Sequence, residues 1–396
     1  MSRRAAPKAN TGALRREGAP ANRCVLLLPG DLDTPSGGYR YDRRVVQELR
    51  GRGWPVQALS LPGAWPAPDA ATLAQAEAAV AALPDDVPVI ADGLAFGALP
   101  ETAMRHARRL RWVALVHHPL GLETGLGAAQ AAALIRDERR ALAATRHVVV
   151  TSEATARLLQ RLEMATARVT TIEPGCDLPA LPLRRRAAEG PVQLLCVASV
   201  TARKGHLVLL EALAPLRELP WVLHNVGSLT MDPATAAAAR AAAHRLGLDE
   251  RVHWHGAAEA TALPGHYARA DLFVLPSLFE GYGMVLAEAL AHGLPVVGTD
   301  TGAARSLLGG GAGGVGEAAG VRDAAGVGDA GGAGVLVPPG DAAALRAALA
   351  PLLAEPARRA LLAQAALAAR ARLPSWAAAG ARWEQVLQSV AAAPAP

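Results

Sequence analysis

The sequence predicts an α/β protein built from two doubly wound, Rossmann-like parallel sheets facing across a cleft. Short apolar runs alternate with helix-period stretches along most of the chain, which is the signature of strands crossed over by helices. That alternation stops at 178–190, a proline- and charge-rich stretch without periodicity, and then restarts. The length agrees, because 396 residues exceed one ordinary core and suit two domains.

The first set opens with the apolar run Cys24–Pro29, closed by a Pro-Gly pair. A Gly-rich loop, Ser36-Gly37-Gly38-Tyr39, leads into a helix over Tyr41–Arg52, and Pro55–Leu59 completes a strand–loop–helix–strand unit. The pattern then predicts helix 69–83, strand 87–91, helix 99–110, strand Trp112–His117, helix 127–145, strand 147–150, helix 153–162 and strand 168–172. The second set begins with Val192–Ala198, a loop holding Arg203-Lys204-Gly205, and a helix over His206–Leu213. Strands at 221–226, 252–255, 272–275 and 295–298 alternate with helices at 234–246, 260–268 and 285–292. Residues 309–334 are mostly Gly and Ala, and we read them as a flexible insert. Helices at 341–354, 356–371 and 375–391 follow. The expected division is a disordered basic tail at 1–22, a first domain at 23–180, a linker at 181–190, a second domain at 191–373, and a terminal helix within 374–396.

Composition narrows the classes. Aromatics are only 4% against 51% hydrophobic residues, so the cores must be packed from Leu, Val and Ala. The net charge of +5 suggests an anionic partner, but six basic residues lie in the first 23 positions and the remainder is close to neutral. A nucleic-acid-binding body is therefore not expected. The first 22 residues lack an apolar core segment, so they are no secretory signal. No stretch reaches the ~18 apolar residues of a membrane span. The expectation is a cytoplasmic protein, at most peripheral at the membrane inner face. Three scattered cysteines form neither a disulfide framework nor a zinc site.

Four motifs carry chemistry. Phe279-Glu-Gly-Tyr-Gly-Met-Val-Leu-Ala-Glu288 follows a strand, placing Glu280 in the exit loop and Glu288 within the next helix. Gly281 and Gly283 let the backbone approach a ligand, and the N–H groups at the helix start suit an anion. Such a loop can hold a diphosphate while the two carboxylates accept bonds from hydroxyls on either side. Arg203 and Lys204 leave the second domain's first strand at its carboxyl end, where open α/β sheets bind ligands. Their charge would stabilise a departing diphosphate. Ser36-Gly37-Gly38 resembles half of a phosphate loop, and Asp31-x-Asp33 beside it is a weak metal motif. His117-His118-Pro119 ends a strand without a metal-binding partner in sequence, so a histidine here is either structural or solvated, or one that bonds a sugar hydroxyl or positions an acceptor.

In this order the motifs resemble glycosyltransferase family 4, a group of retaining two-domain enzymes with the GT-B fold. The matching stretches are Gly37-Gly38, His117–Pro119, Val148–Ser152, Ile172–Asp177, Arg203–Gly205, Val252–Gly256, Ala270–Ser277, Glu280…Glu288, Gly293–Val297 and Gly334–Asp341. The resemblance runs from about residue 24 to 390. It implies a metal-independent hexosyltransferase, with no cofactor, that uses a nucleotide-diphosphate sugar with a uracil or guanine base. The first domain would be the acceptor domain and the second the donor domain, with the terminal helix near Trp376 returning to the first. Arg203 and Lys204 would grip the diphosphate, Glu280 the transferred sugar and Glu288 the ribose. Backbone around Gly281, Gly283, Met284 and Val285 would meet phosphate or sugar, the segment after Gly256 would border the base, and Gly37-Gly38 would approach from the opposite domain. His117 would contact the donor sugar as a catalytic group with Arg203, Lys204 and Glu280, and His118 is the alternative. Two stretches depart from the pattern: Gly302-Ala-Ala-Arg305 where a glycine pair and a glutamate are common, and Glu173-Pro174 where Pro-Asn is common.

The rival readings are another GT-B activity, such as a sugar-nucleotide epimerase or sugar-phosphate synthase, and a silent nucleotide-sugar-binding protein. An NAD enzyme is disfavoured, because neither first strand is followed by a full dinucleotide fingerprint. The acceptor (lipid-linked, glycan or small molecule) is open. The run Arg105-His-Ala-Arg-Arg-Leu-Arg111 reads as a basic helix face that would suit an anionic membrane.

Overall fold

The structure is a computed structural model that describes residues 22–34, 36–164, 168–181, 190–259, 261–309, 328–329 and 332–393. The tail expected at 1–22, the linker at 181–190 and the insert at 309–334 therefore lie almost entirely outside the described residues.

The first sheet and its helices are β1 (Cys24–Pro29), α1 (Gly37–Gly51), β2 (Val56–Leu61), α2 (Ala70–Ala81), β3 (Pro88–Asp92), α3 (Gly93–Phe96), α4 (Pro100–His106), β4 (Arg111–Val116), α5 (Ala128–Ala143), β5 (His147–Val150), α6 (Glu153–Arg161) and β6 (Arg168–Thr171). The order is β2-β1-β3-β4-β5-β6, all parallel. Side chains of β1 alternate between two cores: Val25 and Leu27 join one, Cys24, Leu26 and Leu28 the other. A strand buried on both faces reads as an unbroken apolar run, which is why it stood out in the sequence.

The second set is β7 (Val192–Val197), α7 (His206–Leu213), β8 (Trp221–Val226), α8 (Pro233–Arg245), β9 (Val252–Trp254), α9 (Leu263–Arg269), β10 (Leu272–Leu275), α10 (Met284–Ala291), β11 (Val296–Thr299), α11 (Ala304–Leu307), β12 (Gly328–Asp329), β13 (Gly334–Val337), α12 (Ala342–Ala354), α13 (Pro356–Arg370) and α14 (Trp376–Ala392). Its order is β12-β13-β11-β10-β7-β8-β9, parallel except for β12. Without β12 this is the 3-2-1-4-5-6 order of a dinucleotide-fold sheet.

Three expectations need correction. The first helix begins at Gly37, not Tyr41, because Ser36 caps it by accepting from the Tyr39 N–H. Gly37 and Gly38 are thus first-turn residues whose N–H groups have no partner within the helix. Part of the expected irregular insert, Gly328–Asp329, is a strand paired antiparallel with β13. The helix expected over 99–110 stops at His106, and the basic run does not share one face. Arg109 turns inward to donate to the Leu83 and Val80 carbonyls, and Arg111 lies in β4 and donates to the Val390 carbonyl at the end of α14. Arg105 pairs with Glu77.

The terminal helix α14 packs on α1. The Trp383 indole donates to the Tyr41 hydroxyl at 2.8 Å in a fully buried contact, and Tyr41 donates in turn to the Ile172 carbonyl at 3.0 Å. Trp376, Trp383 and Leu387 complete one face of the first sheet's core. Among the described residues no helix is long and apolar enough to cross a membrane.

Candidate functional site

In the second sheet, strand order reverses between β7 and β10, which are hydrogen-bonded neighbours. The loops leaving them diverge to opposite faces and open a crevice at the strands' carboxyl ends, the usual ligand position in such sheets. The first of these loops carries Arg203 and Lys204, the second Glu280. They are tied by one backbone and one side-chain bond: Leu278 N–H donates to the Arg203 carbonyl at 2.7 Å, and the Arg203 guanidinium donates to the Phe279 carbonyl at 2.8 Å. Gly205 is required here, with φ at +67° and a would-be Cβ only 2.1 Å from the Pro276 carbonyl oxygen.

Lys204 Nζ binds Glu280 Oε1, with Arg203 Nη1 3.6 Å from the same oxygen. Burial of Glu280 would raise its pKa, but the charges of Lys204 and Arg203 outweigh it and hold the carboxylate below its ordinary range. Glu288, about one turn into α10, is buried as well; its Oε2 accepts from the Tyr267 hydroxyl at 2.8 Å and its Oε1 pairs with the Arg40 guanidinium. The helix α10 starts at left-handed Gly283 (φ +88°) and has no side-chain cap. The N–H groups of Met284 and Val285 at its first turn are thus left without an intrahelical partner.

The first sheet supplies the facing wall. Its own reversal lies between β1 and β3, so the Gly37-Gly38 turn after β1 and Asp92 at the end of β3 share a crevice. His117 follows β4. A Cβ on Gly38 would touch the His117 ring at 3.5 Å. His117 Nε2 lies 3.4 Å from both Asp42 Oδ1 and Asp92 Oδ2. Burial pulls His117 down, but the two carboxylates outweigh it and push it up to about 10. Burial raises Asp42 itself. Among the described residues, this trio is the one group of three ligand-type side chains with atoms within 4.8 Å of one another; its separations are those of an ion-paired imidazole. His118 turns elsewhere, to Glu123 at 3.2 Å. Asp31 and Asp33 form a turn, with the Asp33 N–H donating to Asp31 Oδ1 at 2.9 Å.

The two walls meet. Arg203 Nε lies 3.3 Å from Glu123, Arg40 reaches Glu288, and Ser152 Oγ donates to the Gly281 carbonyl at 2.7 Å. A Cβ on Gly281 would lie 2.2 Å from the His117 carbonyl oxygen. The structure thus gathers Arg203, Lys204, Glu280, Gly281, Gly283, Met284, Glu288, Gly38 and His117 around one closed interface. Gly256 lies apart: it exits β9, three strand positions from β10 or roughly 14 Å by strand spacing, and its carbonyl accepts from Gly227 N–H at 2.8 Å. Reading the sequence missed Arg40, Asp42, Asp92, Glu123, Ser152 and Tyr267. Asp92 had a signal, an acid ending a strand before a glycine; Tyr267 had none.

The comparisons with known proteins follow the two halves of this geometry. Residues 31–179 match the family described as Glycosyltransferase Family 4, and residues 191–355 match Glycosyl transferases group 1. The chain belongs to glycosyltransferase family 4. A D-inositol 3-phosphate glycosyltransferase of Xylanimonas cellulosilytica is 31% identical over 274 residues, covering 65% of this chain and 60% of that protein. A second, of Catenulispora acidiphila, is 32% identical over 48% of this chain and 51% of its own length. The chain therefore spans about half to three-fifths of the length of these relatives. Among solved structures, the sucrose-phosphate synthase of Thermosynechococcus elongatus superposes with a TM-score of 0.75 at 21% identity, covering 94% of this chain and all of that one. The Anabaena protein HepE, solved with UDP and glucose, gives 0.66 at 18% identity over 93% of this chain and all of its own. These likenesses establish the family-4 chain as having the GT-B fold.

Proposed function

We propose that this protein transfers a hexosyl group from a nucleotide-diphosphate sugar to an acceptor hydroxyl, with retention of anomeric configuration and without a metal or other cofactor. The observation that carries the reading is the meeting of Arg203, Lys204 and Glu280 at the strand-order reversal of the second sheet, under a helix start whose N–H groups are free to meet phosphate. Residues 191–373 then form the donor domain and 23–180 the acceptor domain.

In this reading the Lys204 and Arg203 charges, which pair with Glu280 and Glu123, turn to the donor diphosphate and stabilise it as it leaves. Glu280 then holds the sugar hydroxyls and Glu288 the ribose, with Arg40 giving up Glu288 as the ribose arrives. Attack from the same face as the departing phosphate, through an oxocarbenium-like state, preserves configuration. Closure of the two walls keeps water from the activated donor. Support for a UDP-type donor comes from HepE, solved with UDP-glucose, and support for sugar transfer from the names of the relatives.

The test is a donor screen with UDP-, GDP-, ADP- and dTDP-sugars in EDTA, reading thermal shift and nucleotide release, followed by acceptor trials and NMR of the product anomer. One donor should stabilise the protein, and Glu288→Ala or Lys204→Ala should abolish the effect. No shift and no release with any donor would move the weight to a silent binding protein. Release that needs an added divalent ion would overturn metal independence.

A further inference from the structure

Asp42 places a carboxyl group where nothing on its own helix explains it. It lies in the first turns of α1, is 1% exposed, and among the described residues neither carboxylate oxygen has a hydrogen-bond partner within ordinary bonding geometry. Leaving an ionised carboxylate in such a place is costly unless a cation faces it. The cation is His117, whose Nε2 is 3.4 Å from Asp42 Oδ1 and equally far from Asp92 Oδ2. Asp92 also accepts from the Leu94 N–H as the cap of α3, so that helix fixes it independently. The Tyr41 ring stands edge-on to the imidazole at 5.6 Å. Tyr39 senses both carboxylates, and its phenol is pushed up to about 12 by burial first and their charges second. Arg382 acts on Tyr41 from α14. From the facing loop, Gly281 backs onto the His117 carbonyl, and the Thr151 and Thr155 hydroxyls approach the same oxygen at 3.5 Å.

We propose that Asp42 is a positioning residue that, together with Asp92, holds the His117 imidazole protonated and turns its Nε2 inward. Nδ1–H is then the group left to donate to the donor sugar. His117 therefore serves as a charged hydrogen-bond donor over the working pH range, and not as a base. This role rests on the glycosyltransferase reading, but the charge on His117 does not.

The experiment titrates the histidine ring carbons by NMR, with His117 assigned from His117→Gln, in the wild type and in the isosteric Asp42→Asn. In the wild type His117 should stay protonated through pH 9, and in Asp42→Asn its titration should fall by at least one pH unit. In turnover assays, kcat of Asp42→Asn relative to the wild type should be highest near pH 6 and fall progressively as pH rises. The loss should reach roughly tenfold at the pH where the shifted histidine is nine-tenths neutral. His117→Gln should show no such limb. A wild-type His117 that titrates at or below 6.5 overturns the proposal even if Asp42→Asn fails to fold. So does one equivalent of zinc in the purified protein whose removal shifts the His117 signals. Absence of turnover with every donor would defeat the functional reading and leave the NMR result to decide the role of Asp42.

Discussion

Gly281→Ala isolates closure of the site from its construction. Gly281 is not among the left-handed glycines, so alanine suits its backbone. The added Cβ would sit 2.2 Å from the His117 carbonyl oxygen, where ordinary contact begins at 3.4 Å. The neighbour is backbone at the exit of β4 and cannot swing aside, so the two walls must part by about 1.2 Å, a misplacement that costs roughly 100-fold in rate when it separates catalytic groups. The clash lies between the two sheets and in neither core. Thermal stability and nucleotide binding should therefore stay near wild type while kcat falls by about two orders of magnitude. The assay is steady-state turnover with the donor found in the screen, beside a thermal shift with its nucleotide alone. Gly51→Ala, with nothing within 4 Å of its Cβ, is the control. A Gly281→Ala enzyme within threefold of wild-type kcat would show that turnover does not pass through this closed arrangement.

Lys204→Ala removes the cation bonded to Glu280 and leaves Arg203 at 3.6 Å as its partner. Turnover should fall by about 10²–10³, and urea unfolding should register a loss of about 1.5–3 kcal/mol for the lost charged hydrogen bond, since Arg203 still faces the carboxylate. Glu138 is 1% exposed, and burial pushes it up to about 8 against the pull of the Leu120 N–H that it accepts. A raised acid keeps its proton in the folded chain after the unfolded chain has lost it, so this group costs stability progressively from about pH 4.5 to pH 8. Glu138→Gln should remove that slope, and its Tm advantage over wild type should widen across the window and then level off; parallel curves would refute the assignment. Trp383→Phe deletes the indole donor to Tyr41. It should cost about 1 kcal/mol in denaturant unfolding, against about 3–5 kcal/mol for Trp383→Ala, which also opens a cavity.

The fold was legible wherever one strand's burial wrote itself into consecutive residues. The run Leu272–Leu275, buried on both faces, announces a parallel strand by itself, and the glycines after it mark the ligand loop. Local signals failed where a side chain's partner lies far along the chain. Arg109 and Arg111 read as surface charges because nothing nearby shows that they turn toward the ends of α2 and α14. The helix start at Gly37 was lost because glycine weakens a helix pattern, although Ser36 was a competent cap.

In the site the same division holds more sharply. Arg203, Lys204 and Glu280 sit on two loops of one sheet, with Glu288 in the helix that follows the second, and the strand order that joins those loops is a general property of such sheets. Arg40 and Glu123 act across the interface, and Asp42 acts within the first wall, on a histidine far along the chain. Arg40 meets Glu288 at a separation of 248 positions, and Glu123 meets Arg203 from the opposite wall. No periodicity encodes such a pair, since each partner obeys its own helix or loop. What the sequence does hold is half of each: a charged residue in the first turns after a glycine pair, placed where a helix face would ordinarily be apolar. Asp42 is the clearest, a carboxylate at an inward position between Tyr41 and Val45. An acid placed there is costly in isolation, and the histidine at the end of β4 supplies the reason it is kept.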